Sequence, residues 1–172
     1  YFLMINRLQK HKNSEHTIRC FDESVKSKGL KDVGLVIIGT IIDDKEVLEK
    51  YQENPYIQFI DYVADGDLSA LYSNALCFLY LSLYEGFGLP ILEAMQCGIP
   101  VICSNTSSMP EVIGDCGITV DPKDVDELCD SIIRIADDEK LREQFSQQGL
   151  ERAKLFSWDK YADDVIKAYK KF

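Results

Sequence analysis

No stretch of the 172-residue sequence approaches the roughly 20 consecutive apolar residues that a membrane-spanning helix requires. Nor does a secretory-type segment open it as given, so the expectation is a soluble, cytoplasmic protein. Histidine occurs only as His11 and His16, and none of the six cysteines (20, 77, 97, 103, 116 and 129) falls in a C-x-x-C pair. This excludes a zinc site of the usual spacing and a disulfide scaffold, and is read as reduced, buried thiols. Basic residues are outnumbered 29 to 19, giving a formal net charge of −10. Nucleic acid gripped by bulk electrostatics is thereby excluded as a partner, and any anion site must be local. Neither G-x-G-x-x-G nor G-x-x-x-x-G-K-[ST] occurs, so a dinucleotide fingerprint and a P-loop find no support. Repeats, low-complexity tracts and Pro/Ser-rich linkers are absent too.

What is present is a regular alternation. At 46% hydrophobic, the chain is long enough for one domain with a real core, taken as residues 1–172. Short apolar runs near 1–6, 33–39, 56–60, 75–81, 99–103 and 117–120 predict six strands. Helical patterns near 14–27, 43–53, 67–74, 90–97 and 124–137 fall between or after them, and two more near 139–150 and 158–171 close the chain. Strands apolar on both faces, separated by helices, predict an α/β fold: a Rossmann-like, doubly wound parallel sheet of about six strands with helices on both faces, plus C-terminal helices. "YFLMIN" begins as a strand at residue 1 without a methionine or lead-in, and the expectation is a piece of a longer polypeptide.

In such sheets ligands bind where the loops leave the carboxyl ends of the strands. One of these loops, in "SLYEGFGLPILEAMQCGIPV" (82–101), carries two glutamates in apolar surroundings. Gly86 and Gly88 allow close backbone approach, Pro90 marks a helix start, and the free N–H groups there suit an anion such as a diphosphate. A tight strand-to-helix turn accounts for the glycines equally well. Glu93, assigned to the first turn of the helix, is favoured there by the dipole whether or not anything binds. Glu85 has no such explanation, and two carboxylates beside a glycine-lined pocket suit sugar hydroxyls. Arg7 and Lys12 in "INRLQKHKN" (5–13) follow the first strand and can neutralise phosphate, although a solvated basic loop explains them as well. The D-x-D triplets Asp65-Gly66-Asp67 and Asp124-Val125-Asp126 are read as structural, the first as a turn with a helix cap at Asp67 and the second as a helix start, leaving no metal site.

Together, "YEGFGLPILEAMQCGIPVICSN…PEVIGDCGITVDP", "NRLQKHKN", "VIIG", "IDYVADGDLSALYSNAL" and "GLERAKLFSWDKYADDVIKAY" resemble the donor-binding half of family 4 retaining glycosyltransferases of the GT-B fold. Glu85 and Glu93 fill the family's E-x7-E signature. The resemblance implies that Arg7 and Lys12 contact the donor diphosphate and that Glu93 binds the nucleotide ribose. Glu85, with the backbone of Gly86, Phe87, Gly88 and Leu89, would lie against the transferred sugar and its phosphates, and the backbone at Val63 would meet the nucleobase. Two departures stand out: Asn6 where the family has glycine, and "GTIIDD" where a glycine-rich turn is usual.

The resemblance further implies a nucleoside-diphosphate sugar as substrate, no cofactor or metal, and an N-terminal acceptor-binding domain absent from this chain. That absent half would carry any peripheral association with the inner face of a membrane. The last helix, with Trp158 and Tyr161, would cross toward it and leave apolar surface exposed here. The expected activity is transfer of a hexose to a glycan or lipid-linked acceptor, with the isolated chain binding donor but transferring little. A GT-B nucleotide-sugar epimerase and a non-catalytic binding domain with a decayed site are the alternatives.

Overall fold

The computed structural model describes residues 1–5, 10–39 and 45–170. Six strands, β1 (Phe2–Ile5), β2 (Leu35–Ile38), β3 (Ile57–Ile60), β4 (Cys77–Tyr80), β5 (Val101–Ser104) and β6 (Ile118–Val120), form one sheet. Every pairing is parallel, in the order β3-β2-β1-β4-β5-β6. The helices are α1 (Ser14–Lys26), α2 (Lys45–Tyr51), α3 (Asp65–Ser73), α4 (Leu89–Gln96), α5 (Met109–Ile113), α6 (Val125–Asp137), α7 (Glu139–Ala153) and α8 (Trp158–Tyr169). All six expected strands are present. The short α5 lies where only a loop was expected, and a 3-10 turn spans Lys10–Lys12.

Successive strand residues point to opposite faces, and the core divides accordingly. Phe2 and Met4 of β1 join an apolar layer with Ile18 and Phe21 of α1 and Leu128 and Ile132 of α6. Leu3 belongs to the other layer, with Tyr72 of α3, Ile91 and Met95 of α4, and Val112 of α5. Both faces of the sheet are thus covered, which is why the strands read as continuous apolar runs. All six cysteines are free thiols; Cys20, Cys77, Cys103 and Cys129 are buried, whereas Cys97 and Cys116 are only half-buried. Burial pushes the thiols of Cys20 and Cys103 up to about 12, so both stay protonated and inert at neutral pH.

The strand order reverses between β1 and β4. From β1 the chain works outward to β2 and β3, then returns to β4 and continues to the other edge. The helices that follow these two central strands, α1 and α4, pack on opposite faces of the sheet, the arrangement that opens a crevice at its carboxyl end.

Candidate functional site

The loop after β4 is tied across that crevice to the end of the β1 loop. The Leu83 N–H donates to the His11 carbonyl at 2.8 Å. One residue on from His11 and two on from Leu83, Lys12 Nζ lies 2.5 Å from Glu85 Oε1 and 3.4 Å from the Tyr80 hydroxyl, and it sits over the Tyr80 ring. Both members of the ion pair are largely shielded from solvent. Burial pushes the Glu85 carboxyl up, but the hydrogen bond from Lys12, the neighbouring Ser82 and Tyr80 hydroxyls and the Lys12 charge outweigh it and hold it below the usual carboxylate range. Ser82 Oγ is fully buried beside this carboxylate without a hydrogen-bond partner of full geometry.

Glu93 is exposed and accepts a hydrogen bond from the buried Tyr72 hydroxyl at 3.1 Å. Its place differs from the expectation. Gly88, with φ +100, is the N-cap of α4, so the helix begins at Leu89 with Pro90 second. Glu93 is therefore the fifth helical residue and lies beyond the first turn, where the dipole effect has largely faded. What holds it is Tyr72, from the neighbouring α3.

The Glu85 loop is braced by hydroxyls from the end of β5 and the loop between β5 and α5. Ser104 Oγ donates to the Ser82 carbonyl at 2.7 Å and Thr106 Oγ1 to the Leu83 carbonyl at 3.2 Å. Ser107 Oγ donates to the Glu85 carbonyl at 2.5 Å and accepts from the Glu85 N–H at 3.1 Å. Ser108 Oγ donates to the carbonyls of Glu85 (3.1 Å) and Phe87 (2.9 Å). Ser108 is the N-cap of α5, but its side chain does not cap the helix and is used on the Glu85 loop instead. Ser107 adopts φ +59, a sparsely populated region for a non-glycine residue, and positions of this kind cluster at functional sites. "SNTSS" is polar and lies just ahead of Met109-Pro110, so it reads as an ordinary turn; nothing local says that its hydroxyls bond to residues 21 to 23 positions earlier.

The glycines serve separate ends. Gly88 takes a left-handed conformation, and a Cβ there would come within 3.3 Å of the Ile91 side chain. At Gly86 a Cβ would meet nothing within 4 Å, so the side chain it lacks leaves open space along the loop. The Phe87 ring packs edge-on against Phe156, with centroids 5.9 Å apart. Phe87 and Leu89 line an apolar cleft of about 860 Å³ with Leu155, Phe156 and Trp158, whose lining includes neither Glu85 nor Glu93. Val63, in the loop after β3, is half-buried and packs on the layer containing Tyr72.

The structure therefore joins Lys12 to Glu85 directly and sets Glu93 one turn into the following helix. Asn6 and Arg7 lie outside the described residues, as does 40–44 of "GTIIDD". Asp65 and Asp67 both occupy the first turn of α3, whose N-cap is Ala64; the cap expected at Asp67 is not formed because the helix starts two residues earlier. Asp124 caps α6, accepting from the Glu127 N–H.

A doubly wound parallel sheet of this order, with the E-x7-E glutamates on the loop and helix after its fourth strand, defines the class as a GT-B glycosyltransferase. The sequence pattern of the family described as Glycosyl transferases group 1 matches residues 1–152, and the chain belongs to that family. It is 47% identical over 125 residues to an O-antigen chain mannosyltransferase B of Escherichia coli, covering 73% of this chain and 33% of that protein. Among solved structures, a C-terminal domain of a glycosyl transferase group 1 family protein from Francisella tularensis superposes with a TM-score of 0.77 at 30% identity, covering 90% of this chain and 85% of that one. A sucrose-phosphate synthase from Thermosynechococcus elongatus, at 23% identity and TM-score 0.83, shares the fold over 99% of this chain and 45% of its own. The chain thus spans about a third of the length of the mannosyltransferase it matches.

Proposed function

We propose that this chain is the nucleotide-sugar-binding domain of a retaining glycosyltransferase that moves a hexose from a nucleoside-diphosphate sugar to a glycan or lipid-linked acceptor. The observation that carries the reading is the Lys12–Glu85 pair at the crevice between β1 and β4, one loop away from Glu93. Similarity to a mannosyltransferase favours mannose as the hexose.

In this reading Glu93 receives the ribose hydroxyls, held ready by Tyr72. Lys12, with Arg7, lies against the diphosphate, and the first N–H groups of α4 face the same anion. As the glycosidic bond to the diphosphate lengthens, negative charge grows on the leaving oxygens and positive charge on the sugar. Lys12 and Arg7 stabilise the first, and the carboxylate of Glu85 lies near the second. The cationic charge is supplied by side chains, so the core chemistry needs no metal. The acceptor binds a further domain, and this chain alone binds donor and transfers little.

Isothermal titration of the chain with UDP, GDP and ADP tests the reading. One diphosphate binds selectively, and Glu93→Ala weakens it by about 1–3 kcal/mol, the worth of charge-assisted hydrogen bonds. Glu85→Ala leaves that affinity nearly intact and lowers turnover in the complete enzyme. Equal loss of affinity in both variants, with folding unchanged, would overturn this division. Absence of binding by the folded wild-type chain would count against the donor site itself.

A further inference from the structure

Two tyrosines lie beneath the two glutamates. Tyr72 and Tyr80 are each only 2% exposed, and the rings are joined through Phe78. Tyr72 meets Phe78 edge-on with centroids 5.3 Å apart, and Phe78 stacks on Tyr80 at 5.8 Å. A phenylalanine would fill either position with the same apolar area, and a buried hydroxyl is costly unless it is hydrogen-bonded. Each hydroxyl therefore calls for a partner, and each has one in the site. Tyr72 donates to Glu93 Oε2. The Tyr80 oxygen accepts from Lys12 Nζ, leaving its proton for the adjacent Glu85 carboxylate, whose charge it favours.

We propose that Tyr72 and Tyr80 are positioning residues, one for each glutamate: Tyr72 aims Glu93 at the nucleoside, and Tyr80 holds the Lys12–Glu85 pair at the diphosphate and sugar. Phe78 joins the two rings, so the spacing between the two carboxylates is set by packed aromatic groups on α3 and β4 and not by the exposed loop. Burial, then the adjacent carboxylate, pushes both phenols up, so both remain donors throughout the working pH range. The roles of the glutamates rest on the function proposed above; the attachment of each to its tyrosine does not.

Tyr72→Phe, Tyr80→Phe, Glu93→Ala and the double variant Tyr72→Phe/Glu93→Ala test this in the 172-residue chain, with thermal unfolding as the check on folding. The first readout needs no ligand. At neutral pH the side-chain carboxyl ¹³C resonance of Glu93 shifts in Tyr72→Phe and not in Tyr80→Phe, and that of Glu85 does the reverse. The second is titration with whichever of UDP, GDP and ADP the wild-type chain binds. Tyr72→Phe lowers that affinity about fivefold to tenfold, less than the full worth of a hydrogen bond to a charged group because Glu93 itself remains, and has no further effect once Glu93 is alanine. Matching ¹³C shifts in both tyrosine variants, or an equal loss from Tyr72→Phe on the Glu93→Ala background, would overturn the proposal. If the wild-type chain binds no nucleoside diphosphate, the donor reading fails, while the ¹³C pattern still decides whether each tyrosine holds its carboxylate.

Discussion

Lys12 and Glu85 show how much one ion pair can depend on its setting. An exposed pair is worth little, but here both side chains are largely shielded and Glu85 also has the Tyr80 and Ser82 hydroxyls beside it. Lys12→Ala leaves a shielded carboxylate without its ammonium and costs about 1–3 kcal/mol in chemical denaturation at pH 7. The pH dependence follows from the sign of the Glu85 shift. Its folded-state value lies below the ordinary one, so the unfolded chain binds the proton more tightly. The stabilisation is full above the unfolded value and is lost as pH falls through the folded one. Wild type therefore loses stability over the acidic range below the ordinary carboxylate value, and Lys12→Ala loses less there. Unfolding midpoints compared at pH 7 and across the acid limb check both statements.

At the scale of elements, the site depends on where α4 begins. Gly88 takes a left-handed conformation to stop the loop and start the helix, and this sets which N–H groups face the crevice. Gly88→Ala forces a side chain into that conformation and crowds Ile91, to which its Cβ would approach at 3.3 Å. The expected cost is about 1–2 kcal/mol, and nucleoside diphosphate binding weakens in the same variant; a thermal unfolding scan and a titration measure the two. The hydroxyl brace from the β5–α5 loop makes a different prediction. Ser107 and Ser108 bond only to the backbone of residues 85 and 87 in this brace. The double variant Ser107→Ala/Ser108→Ala keeps every charge of the site and releases the loop that carries Glu85. Amide hydrogen exchange over 83–88 rises while protection of β4 and β5 is retained. The short α5 is itself held from α7, where Arg152 donates to the carbonyls of Glu111 and Val112.

Across the whole molecule the surface is uneven. The described residues include no helix long and apolar enough to cross a membrane. Yet α8 buries none of its residues, and Trp158, Tyr161 and Tyr169 are 75%, 63% and 79% exposed. This agrees with the expectation that the last helix leaves apolar surface uncovered in the chain taken alone. Trp158 is the single tryptophan, so intrinsic fluorescence reports on this face without labelling. The emission is that of a solvated indole and is quenched freely by iodide; a blue-shifted, unquenched emission would show that the face is covered in solution.

The order and type of the elements were set by local patterns. Six apolar runs became six strands, because a sheet covered on both faces requires them to be apolar throughout. The positions of Asp124 and Pro90 fixed helix starts within a residue or two, and the E-x7-E spacing put both glutamates on one loop and helix. Short-range signals could not place Glu93 beyond the first turn, since that depended on Gly88 adopting a left-handed conformation. Nor could they reveal α5, five residues long with its last carbonyls held by an arginine 40 or 41 positions away. Only the tertiary structure decided that Lys12 pairs with Glu85, that Tyr72 reaches Glu93 and that four hydroxyls of 104–108 brace the Glu85 loop. Those contacts join residues 21 to 73 positions apart, and in a parallel sheet such partners meet only after the crossover helices bring the strand ends together.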